Sequence, residues 1–213
     1  MLQRPNSLPH LLRSWSSLQP KAIWAFVNPA AGTLRLYSDK LPEGAKNLWD
    51  APNVLLQKLP ADEFMVTTKL TFKPNTKLEN EKAGLVMMGF SYASLALKSK
   101  KDGLYLVYTV GKDAVKGQPE TEIELLKVNN PTVYFRVKVT DGAKCRFSYS
   151  LDGQQFTEAG EEFQAEVARW KSAKVGLFCT RDTQINDSGF ADVDWFRVEP
   201  LDTATQAGVP ATK

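Results

Sequence analysis

Short stretches in which apolar and polar residues alternate recur along almost the whole of this 213-residue chain. Alternation with a period of two places successive side chains on opposite faces of an extended strand, and turn-favouring Gly, Pro, Asn and Asp residues separate the stretches. The predicted strands cover residues 22–27, 33–38, 54–58, 63–72, 83–90, 92–97, 104–110, 120–128, 133–140, 144–151, 175–180 and 189–198. This spacing excludes a helical or α/β fold and predicts an all-β fold, a two-sheet antiparallel β-sandwich.

Turn residues support hairpin connections between several of these strands. Asp141 and Gly142 join 133–140 to 144–151, and the pair Asp152 and Gly153 follows directly. Both pairs accept positive φ. The lysine-rich run at 98–103 ends in Asp-Gly between two apolar stretches, which favours a solvated hairpin loop over a phosphate-binding patch. Residues 161–173 form the one segment whose pattern allows a short helix.

The last predicted strand carries two carboxylates on one face. Its alternation assigns Phe190, Asp192, Asp194 and Phe196 to one face, and Ala191, Val193, Trp195 and Arg197 to the other. The strand rise puts Asp192 and Asp194 about 7 Å apart, between the separations of retaining and inverting glycosidases. Strand acids beside aromatic residues more often face solvent, bind calcium or hydrogen bond to loops. We therefore favour a structural interpretation of this pair.

Composition and charge limit the classes of protein to consider. A chain with 43% hydrophobic residues at this length can bury one sizeable core, so we expect one domain. The 27 Lys and Arg residues are spread among 24 Asp and Glu, and a net charge of +3 does not favour nucleic-acid binding. No run has the length of a membrane span, and residues 1–14 lack a signal-peptide pattern. We expect a soluble chain without a nucleic-acid or membrane partner, and any export signal would lie outside it.

The sequence lacks most of the residue patterns that enzymes and metal sites need. It contains no nucleophile elbow, no phosphate-binding Gly loop and no HExxH motif. His10 is the only histidine, which argues against a His base or a His ligand set. Cys145 and Cys179 lie in strand-like runs without CxxC spacing, so we expect two reduced, buried thiols. The sequence predicts no catalytic centre, no metal and no cofactor in this chain.

One loop contains a tryptophan. Residues 47–53 form a loop by their Asn, Asp and Pro content, yet Trp49 lies in the middle of it. Loops do not usually leave a Trp ring in water. Either the ring of Trp49 folds back onto the core, or it stacks on a ligand such as a sugar ring, and the sequence leaves both interpretations open.

An ordered set of short motifs resembles one known module. The motifs are LRLY at 34–37, LLQK at 55–58, AGLVMMG at 83–89, FSYSLDG at 147–153, KVGL at 174–177 and ADVDWF at 191–196. Together they resemble the C-terminal concanavalin A-like β-sandwich, a jelly roll, of family 43 glycoside hydrolases. These enzymes are β-xylosidases and α-L-arabinofuranosidases. The resemblance runs from about Ile23 to Pro200.

The resemblance implies a two-domain enzyme in which a five-bladed propeller holds the catalytic carboxylates. The sandwich packs against that propeller and lends a loop to the mouth of the active site. By position, Trp49 is the candidate aromatic of that loop and Asp50 its polar partner in substrate binding. The family usually has Trp-Gln-Trp in its first strand, where this chain has Leu-Leu-Arg-Ser-Trp at 11–15. We therefore divide the chain into an N-terminal segment at 1–21, the sandwich at 22–200 and a flexible tail at 201–213.

Two functional hypotheses follow. The favoured one is an accessory domain of a hemicellulose-degrading glycoside hydrolase, non-catalytic alone, whose partners are the propeller and a plant cell-wall oligosaccharide such as a xylo- or arabino-oligosaccharide. The alternative is an independent carbohydrate-binding module. An enzyme that uses Asp192 and Asp194 ranks last. The resemblance leaves the compartment open, with a periplasmic or secreted parent enzyme as the expectation.

Overall fold

The computed structural model describes residues 24–165, 173–185 and 187–201. Within these ranges the chain is almost entirely extended, and its helical parts are three short 3₁₀ segments at Leu48–Asp50, Ala114–Lys116 and Asp141–Ala143. The strands are β1 (Ala25–Asn28), β2 (Thr33–Tyr37), β3 (Asp39–Lys40), β4 (Val54–Lys58), β5 (Phe64–Lys73), β6 (Lys82–Met88), β7 (Tyr92–Lys100), β8 (Gly103–Gly111), β9 (Thr121–Val128), β10 (Thr132–Thr140), β11 (Lys144–Ser150), β12 (Thr157–Gln164), β13 (Lys174–Arg181) and β14 (Phe190–Pro200).

These strands form two sheets, and the prediction of a two-sheet β-sandwich is confirmed. The first sheet has the order β1-β2-β14-β5-β10-β11-β12, and the second has the order β3-β13-β6-β7-β8-β9, with β4 also paired to β13. All pairings are antiparallel except the short one between β3 and β13. The C-terminal strand β14 pairs with β2 on one side and with β5 on the other, so it is an interior strand of the first sheet.

The main core lies between the two sheets. Strand β10 illustrates the alternation of buried and outward-facing residues that the sequence predicts. Its apolar residues, which are fully buried, are Val133, Phe135, Val137 and Val139, and the residues between them point outward. Burying one such side chain stabilises the fold by roughly 1.5–3 kcal/mol. The apolar residues of this alternation therefore form the inner face of the first sheet and belong to the main core.

A second apolar cluster covers part of the outer face of the second sheet. It contains Leu48, Ala51, Val54, Leu56, Val86, Met88, Tyr92, Ala96, Val107, Ala114 and Phe178. Strands β6 and β7 are consequently buried on both faces, which explains their nearly continuous apolar sequence. The loops that carry Leu48 and Ala114 form the cover, and they also form the candidate site.

The predicted short helix at 161–173 is wrong for the part that can be seen. Residues 161–164 belong to the edge strand β12, whose Ala159 and Phe163 reach the main core. A register shift between β11 and β12 and a positive φ at Gly160 interrupt the alternation of this strand. The sequence of this strand therefore lacks the regular period-two alternation that would have predicted it. The rest of the predicted helix, apart from Ala165 and Ala173, lies outside the described residues.

The two-faced pattern predicted for the last strand holds only to Val193. A β-bulge at Asp194 shifts the register, so that Val193 pairs with Leu70 and Trp195 with the next residue, Lys69. Past the bulge Phe196 turns inward, and Trp195 takes the outer face that Asp192 occupies before it. The predicted assignment of Phe196 to the face of Asp192 is therefore incorrect.

The predicted hairpins are present. Gly142 and Gly153 adopt φ values of 73° and 79°, as their Asp-Gly turns require. Within the lysine-rich run at 98–103, only Lys101 and Asp102 form the tight turn between β7 and β8, while residues 98–100 extend β7 beyond its predicted end, with Lys100 paired to Gly103. The segment at 1–21 with His10, and residues 202–213 of the predicted tail, lie outside the described residues.

Candidate functional site

Three loops at one end of the sandwich are tied together, and we call them the loop cluster. They are residues 41–53, the β6–β7 turn at 89–91 and residues 112–119. Asn47 joins the first and third loops, because its side-chain amide donates to the backbone carbonyls of Ala114 at 3.0 Å and Gln118 at 2.7 Å. The same side chain caps the 3₁₀ segment by accepting a hydrogen bond from the backbone N–H of Trp49 at 2.8 Å. One buried asparagine thus fixes the position of the tryptophan loop.

Tyr92, a buried residue of the second apolar cluster, holds the loop cluster in place through hydrogen bonds of its hydroxyl group. Its hydroxyl accepts a hydrogen bond from the backbone N–H of Leu48 at 2.9 Å and donates to the carboxylate of Glu120. Burial, together with the adjacent carboxylate of Glu120, raises the pKa of the Tyr92 hydroxyl well above its ordinary value. The hydroxyl is therefore a permanent donor and acceptor, and it holds the start of the 3₁₀ segment against the outer face of the second sheet.

We expect Tyr92→Phe to destabilise the chain. The change leaves the ring in place but removes the partner of the buried Leu48 N–H, which should lower the free energy of unfolding by about 1–3 kcal/mol. Urea unfolding followed by intrinsic fluorescence measures the loss. Tyr105→Phe is the matched control, since its hydroxyl donates to Asp102 at 2.7 Å on an exposed surface, and it should cost about 0.5 kcal/mol or less. Equal losses in the two variants would contradict the support role of Tyr92.

The structure brings Trp49 and Asp50 together in one shallow pocket. The pocket has a volume of about 380 Å³ and is otherwise lined by residues 42–45, 51 and 52. The ring of Trp49 is half-buried and packs against the second apolar cluster. Asp50 accepts a hydrogen bond from the backbone N–H of Lys46 at 2.8 Å, which closes the loop on itself. The ring of Trp49 therefore packs partly on the core and partly lines the pocket, and its stacking on a ligand stays a prediction.

Two exposed apolar side chains accompany the Trp49 loop. Phe90 is 40% exposed and Val115 is 39% exposed, and both belong to the loop cluster. They are neighbours, because the backbone N–H of Val115 donates to the carbonyl of Phe90 at 3.1 Å. Phe90 ends the predicted strand at 83–90 and Val115 lies between two predicted strands, so neither residue was predicted to be part of an exposed surface. The only signal in the sequence was an apolar residue in each of two polar turns.

Asp192 and Asp194 are each paired with a different basic side chain. Arg35 binds both oxygens of Asp192, with Nε at 2.7 Å and Nη2 at 2.9 Å, and it also stacks on the ring of Phe190. Asp194 occupies the bulge and pairs with Lys69 at 3.2 Å. A bidentate arginine donates one hydrogen bond to each oxygen of the carboxylate and fixes its orientation. These contacts support the structural interpretation of both acids.

The two cysteines are buried free thiols, as predicted. Cys145 faces the main core from β11 and Cys179 from β13. Burial raises the pKa of the Cys145 thiol to about 12 and raises that of Cys179 as well. Among the residues that the structure describes, no cluster of His, Cys, Asp and Glu side chains has the arrangement of a metal site. The described part also contains no helix with the length and apolar character of a membrane span.

Comparison with known proteins identifies similar domains. The chain matches the model of the β-xylosidase C-terminal concanavalin A-like domain over residues 7–199. Among solved structures it is similar to a bifunctional GH43-CE protein of Bacteroides eggerthii, with a TM-score of 0.73 and 21% identity over 88% of this chain. It is also similar to the GH43 protein BlXynB of Bacillus licheniformis, with a TM-score of 0.69 and 19% identity over 88% of this chain. A xylan β-1,4-xylosidase of Bacillus halodurans gives a TM-score of 0.65 and 19% identity over 88% of this chain.

The chain corresponds to only part of each of these proteins. It covers 24% of the Bacteroides protein and 37% of each Bacillus protein. At these identities the similarity establishes a shared fold. The search of curated proteins returned no match.

Proposed function

Because the chain belongs to the family of β-xylosidase C-terminal concanavalin A-like domains, we propose that it is the accessory domain of a hemicellulose-degrading family 43 glycoside hydrolase. The chain is not catalytic alone. It packs against a catalytic β-propeller and shapes the mouth of the propeller's substrate pocket. The substrate is a plant cell-wall oligosaccharide, such as a xylo- or arabino-oligosaccharide. The observation that carries the proposal is the match over residues 7–199, combined with the larger size of the similar structures.

The loop cluster is the surface that suits docking to a propeller. Phe90 and Val115 expose apolar area next to the pocket of Trp49, and the hydrogen bonds of Asn47 and Tyr92 hold the loops in place. Apolar and aromatic groups on a rigid support are typical of protein interfaces. Docking through this cluster places Trp49 and Asp50 at the seam between the two domains, where they contact the substrate.

We expect the double variant Phe90→Asp, Val115→Asp to separate the chain from its propeller. The partner to test is a family 43 propeller encoded before Met1 or in a neighbouring gene. The unaltered chain should co-purify with it, and two carboxylates in an apolar interface should abolish co-purification because each would be desolvated without a counter-charge. Size-exclusion chromatography of the mixed proteins measures the complex.

The control is Leu151→Asp. Leu151 is 47% exposed, but it lies after β11, outside the loop cluster. This variant should leave the complex intact. If it separates the domains as effectively as the double variant does, docking through the loop cluster is wrong. A genome that encodes no propeller beside this chain would overturn the accessory role itself.

An independent carbohydrate-binding module is the second candidate. The observation that favours it is the part of the Trp49 ring that faces a pocket of about 380 Å³ beside Asp50. A partly exposed indole and a carboxylate are a usual combination for a sugar ring, since one stacks and the other accepts hydrogen bonds. Sugar binding by the chain without any propeller partner would favour this candidate.

A further inference from the structure

A second pocket, which we call the polar pocket because hydrogen-bonding side chains form its floor, lies behind the Trp49 loop on the outer face of the second sheet. Its volume is about 270 Å³. Its floor comes from four adjacent strands, which contribute Lys82, Ser94, Lys98, Thr109 and Thr180. Its rim comes from Glu120 before β9, from the Asn80–Asp182 contact and from residues 45–48 of the loop cluster. The pocket thus collects hydrogen-bonding side chains from parts of the chain far apart in sequence.

The floor carries two lysines at directly paired positions of neighbouring strands, Lys82 and Lys98. Like charges in such positions repel each other, and these side chains are only 19% and 16% exposed. Two glutamates offset the repulsion. Lys82 contacts Glu120 at 3.0 Å and Glu122 at 2.7 Å, and Lys98 contacts Glu122 at 2.7 Å. The pocket therefore presents two lysine ammonium groups beside the carboxylate of Glu120, and each of the two ammonium groups is already paired with a glutamate.

The ion pairs also set the protonation states. Burial lowers the pKa of Lys82, but the carboxylates of Glu120 and Glu122 outweigh that effect and leave the pKa above its ordinary value. Burial likewise raises the pKa of Glu122, but the ammonium groups of Lys82 and Lys98 outweigh it and leave the pKa below its ordinary value. Lys82 and Glu122 therefore stay charged at neutral pH. They offer fixed donors and fixed acceptors side by side.

We propose that this pocket binds one ring of a neutral sugar through adjacent hydroxyl groups. A hydroxyl can donate to Glu120 while it accepts from Lys82 or Lys98, so a sugar adds hydrogen bonds without breaking the ion pairs. An anionic ligand would find Lys82 and Lys98 already paired with Glu122, and Arg181, which also lines the pocket, already bound to backbone carbonyls. The volume of about 270 Å³ lies just below the range of pockets for drug-sized ligands, which suits a single ring.

The pocket shares a wall with the Trp49 site. Residues 45–48 line the polar pocket, while residues 42–45 and 49–52 line the shallow pocket, so a single loop separates the two. A sugar in the polar pocket contacts the same loop that presents Trp49. The two pockets can therefore hold separate units of a chain-like glycan or separate glycan molecules, and the polar pocket needs no propeller to form.

The experiment is an NMR titration of the full chain labelled with ¹⁵N. Xylobiose is the first probe, a choice that rests on the proposed function, and cellobiose and glucuronic acid are the other arms. A neutral disaccharide should shift the backbone amides of Ser94, Thr109 and Thr180 and give a Kd in the millimolar range or tighter. Lys98→Met should weaken binding by about tenfold or more, because it removes one charge-assisted donor. In that variant Glu122 keeps its pairing with Lys82.

Lys100→Met is the matched control. Lys100 follows on the same face of the same strand and pairs with Glu124 of β9, but it lies outside the pocket. It should leave Kd within about twofold, since distant sites act independently. Thr109→Val, which keeps the side-chain shape, is a second test inside the pocket and should also weaken binding, whether or not Lys98→Met folds well.

Several results would overturn the proposal. These are the absence of amide shifts with both neutral sugars at millimolar concentration, shifts only with glucuronic acid, and equal weakening by the Lys98 and Lys100 variants. Shifts confined to residues 42–44 and 49–52 would place the sugar at Trp49 and would also count against the polar pocket. None of these results bears on co-purification with a propeller, so the failure of this proposal is distinguishable from failure of the accessory role.

Discussion

In the folded chain at pH 8, Cys145 and Cys179 should react with a thiol-specific reagent at least about 1,000-fold more slowly than in the chain unfolded by guanidinium. Both thiols are buried in the core between the sheets, so the reagent reaches them only when the sandwich opens. Opening of a core strand costs close to the full free energy of unfolding, which is typically about 5–15 kcal/mol. Stopped-flow or manual mixing with Ellman's reagent measures both rates.

A thiol introduced by Lys101→Cys provides the control. Lys101 lies in the exposed turn between β7 and β8, so this thiol should react in the folded chain nearly as fast as in the unfolded one. Fast reaction of the two native thiols would mean that the sheets separate readily. A mass difference of two hydrogens after reduction would instead reveal a disulfide between them, which contradicts their description as free thiols.

The same thiols should make the fold less stable at high pH. Burial raises the pKa of Cys145 to about 12 in the folded chain, above the value of the unfolded chain. Above about pH 9 the unfolded chain loses thiol protons that the folded chain keeps, so stability falls by about 1.4 kcal/mol per pH unit for each thiol until its folded pKa is reached. Below about pH 9 the thiols stay protonated in both the folded and the unfolded chain, so they contribute no pH dependence to stability. Lower stability at pH 8 than at pH 10 would contradict this sign.

The fold was predictable where one face of a strand packs on the core and the other meets water. Strands such as β10 report this arrangement directly, because inward and outward residues differ in polarity. The prediction failed where other interactions interrupt the period. Gly160 and the register shift break the pattern of β12, and the bulge at Asp194 turns Phe196 to the other face. A bulge depends on how two strands pair, and that information is not contained in the sequence of one of them.

The candidate site was predictable only in part. The presence of Trp49 in a polar loop pointed to that loop, but its degree of burial depends on Tyr92 and Asn47. Tyr92 lies within an apolar run and looks like an ordinary core residue until its hydroxyl is placed against the loop. The polar pocket was missed for a similar reason. Its lysines and glutamates are far apart in sequence, and only the sheet order makes Lys82 and Lys98 neighbours.

Trp49→Ala should have separate effects on stability and on catalysis. In the chain alone we expect the free energy of unfolding to fall by about 1–2 kcal/mol, because truncation of a fully buried Trp costs about 3–5 kcal/mol and this ring is only half-buried. Urea unfolding measures this value. A loss as large as that of a core Trp would mean that the ring is fully packed on the core and does not line the shallow pocket. No loss would mean that the ring does not pack on the second apolar cluster.

If the chain is the accessory domain proposed above, Trp49→Ala in the enzyme that includes the propeller should lower kcat/KM for xylo-oligosaccharides by about tenfold or more, because stacking and water exclusion at the mouth of the substrate pocket would be lost. Trp195→Ala is the matched control. Trp195 is also half-buried and packs on Tyr134 and Arg197, but it lies on the outer face of the first sheet, away from the loop cluster. That variant should keep kcat/KM within about twofold even if it loses similar stability. If the two variants lower kcat/KM equally, the effect comes from loss of folded domain, and Trp49 has no role at the substrate.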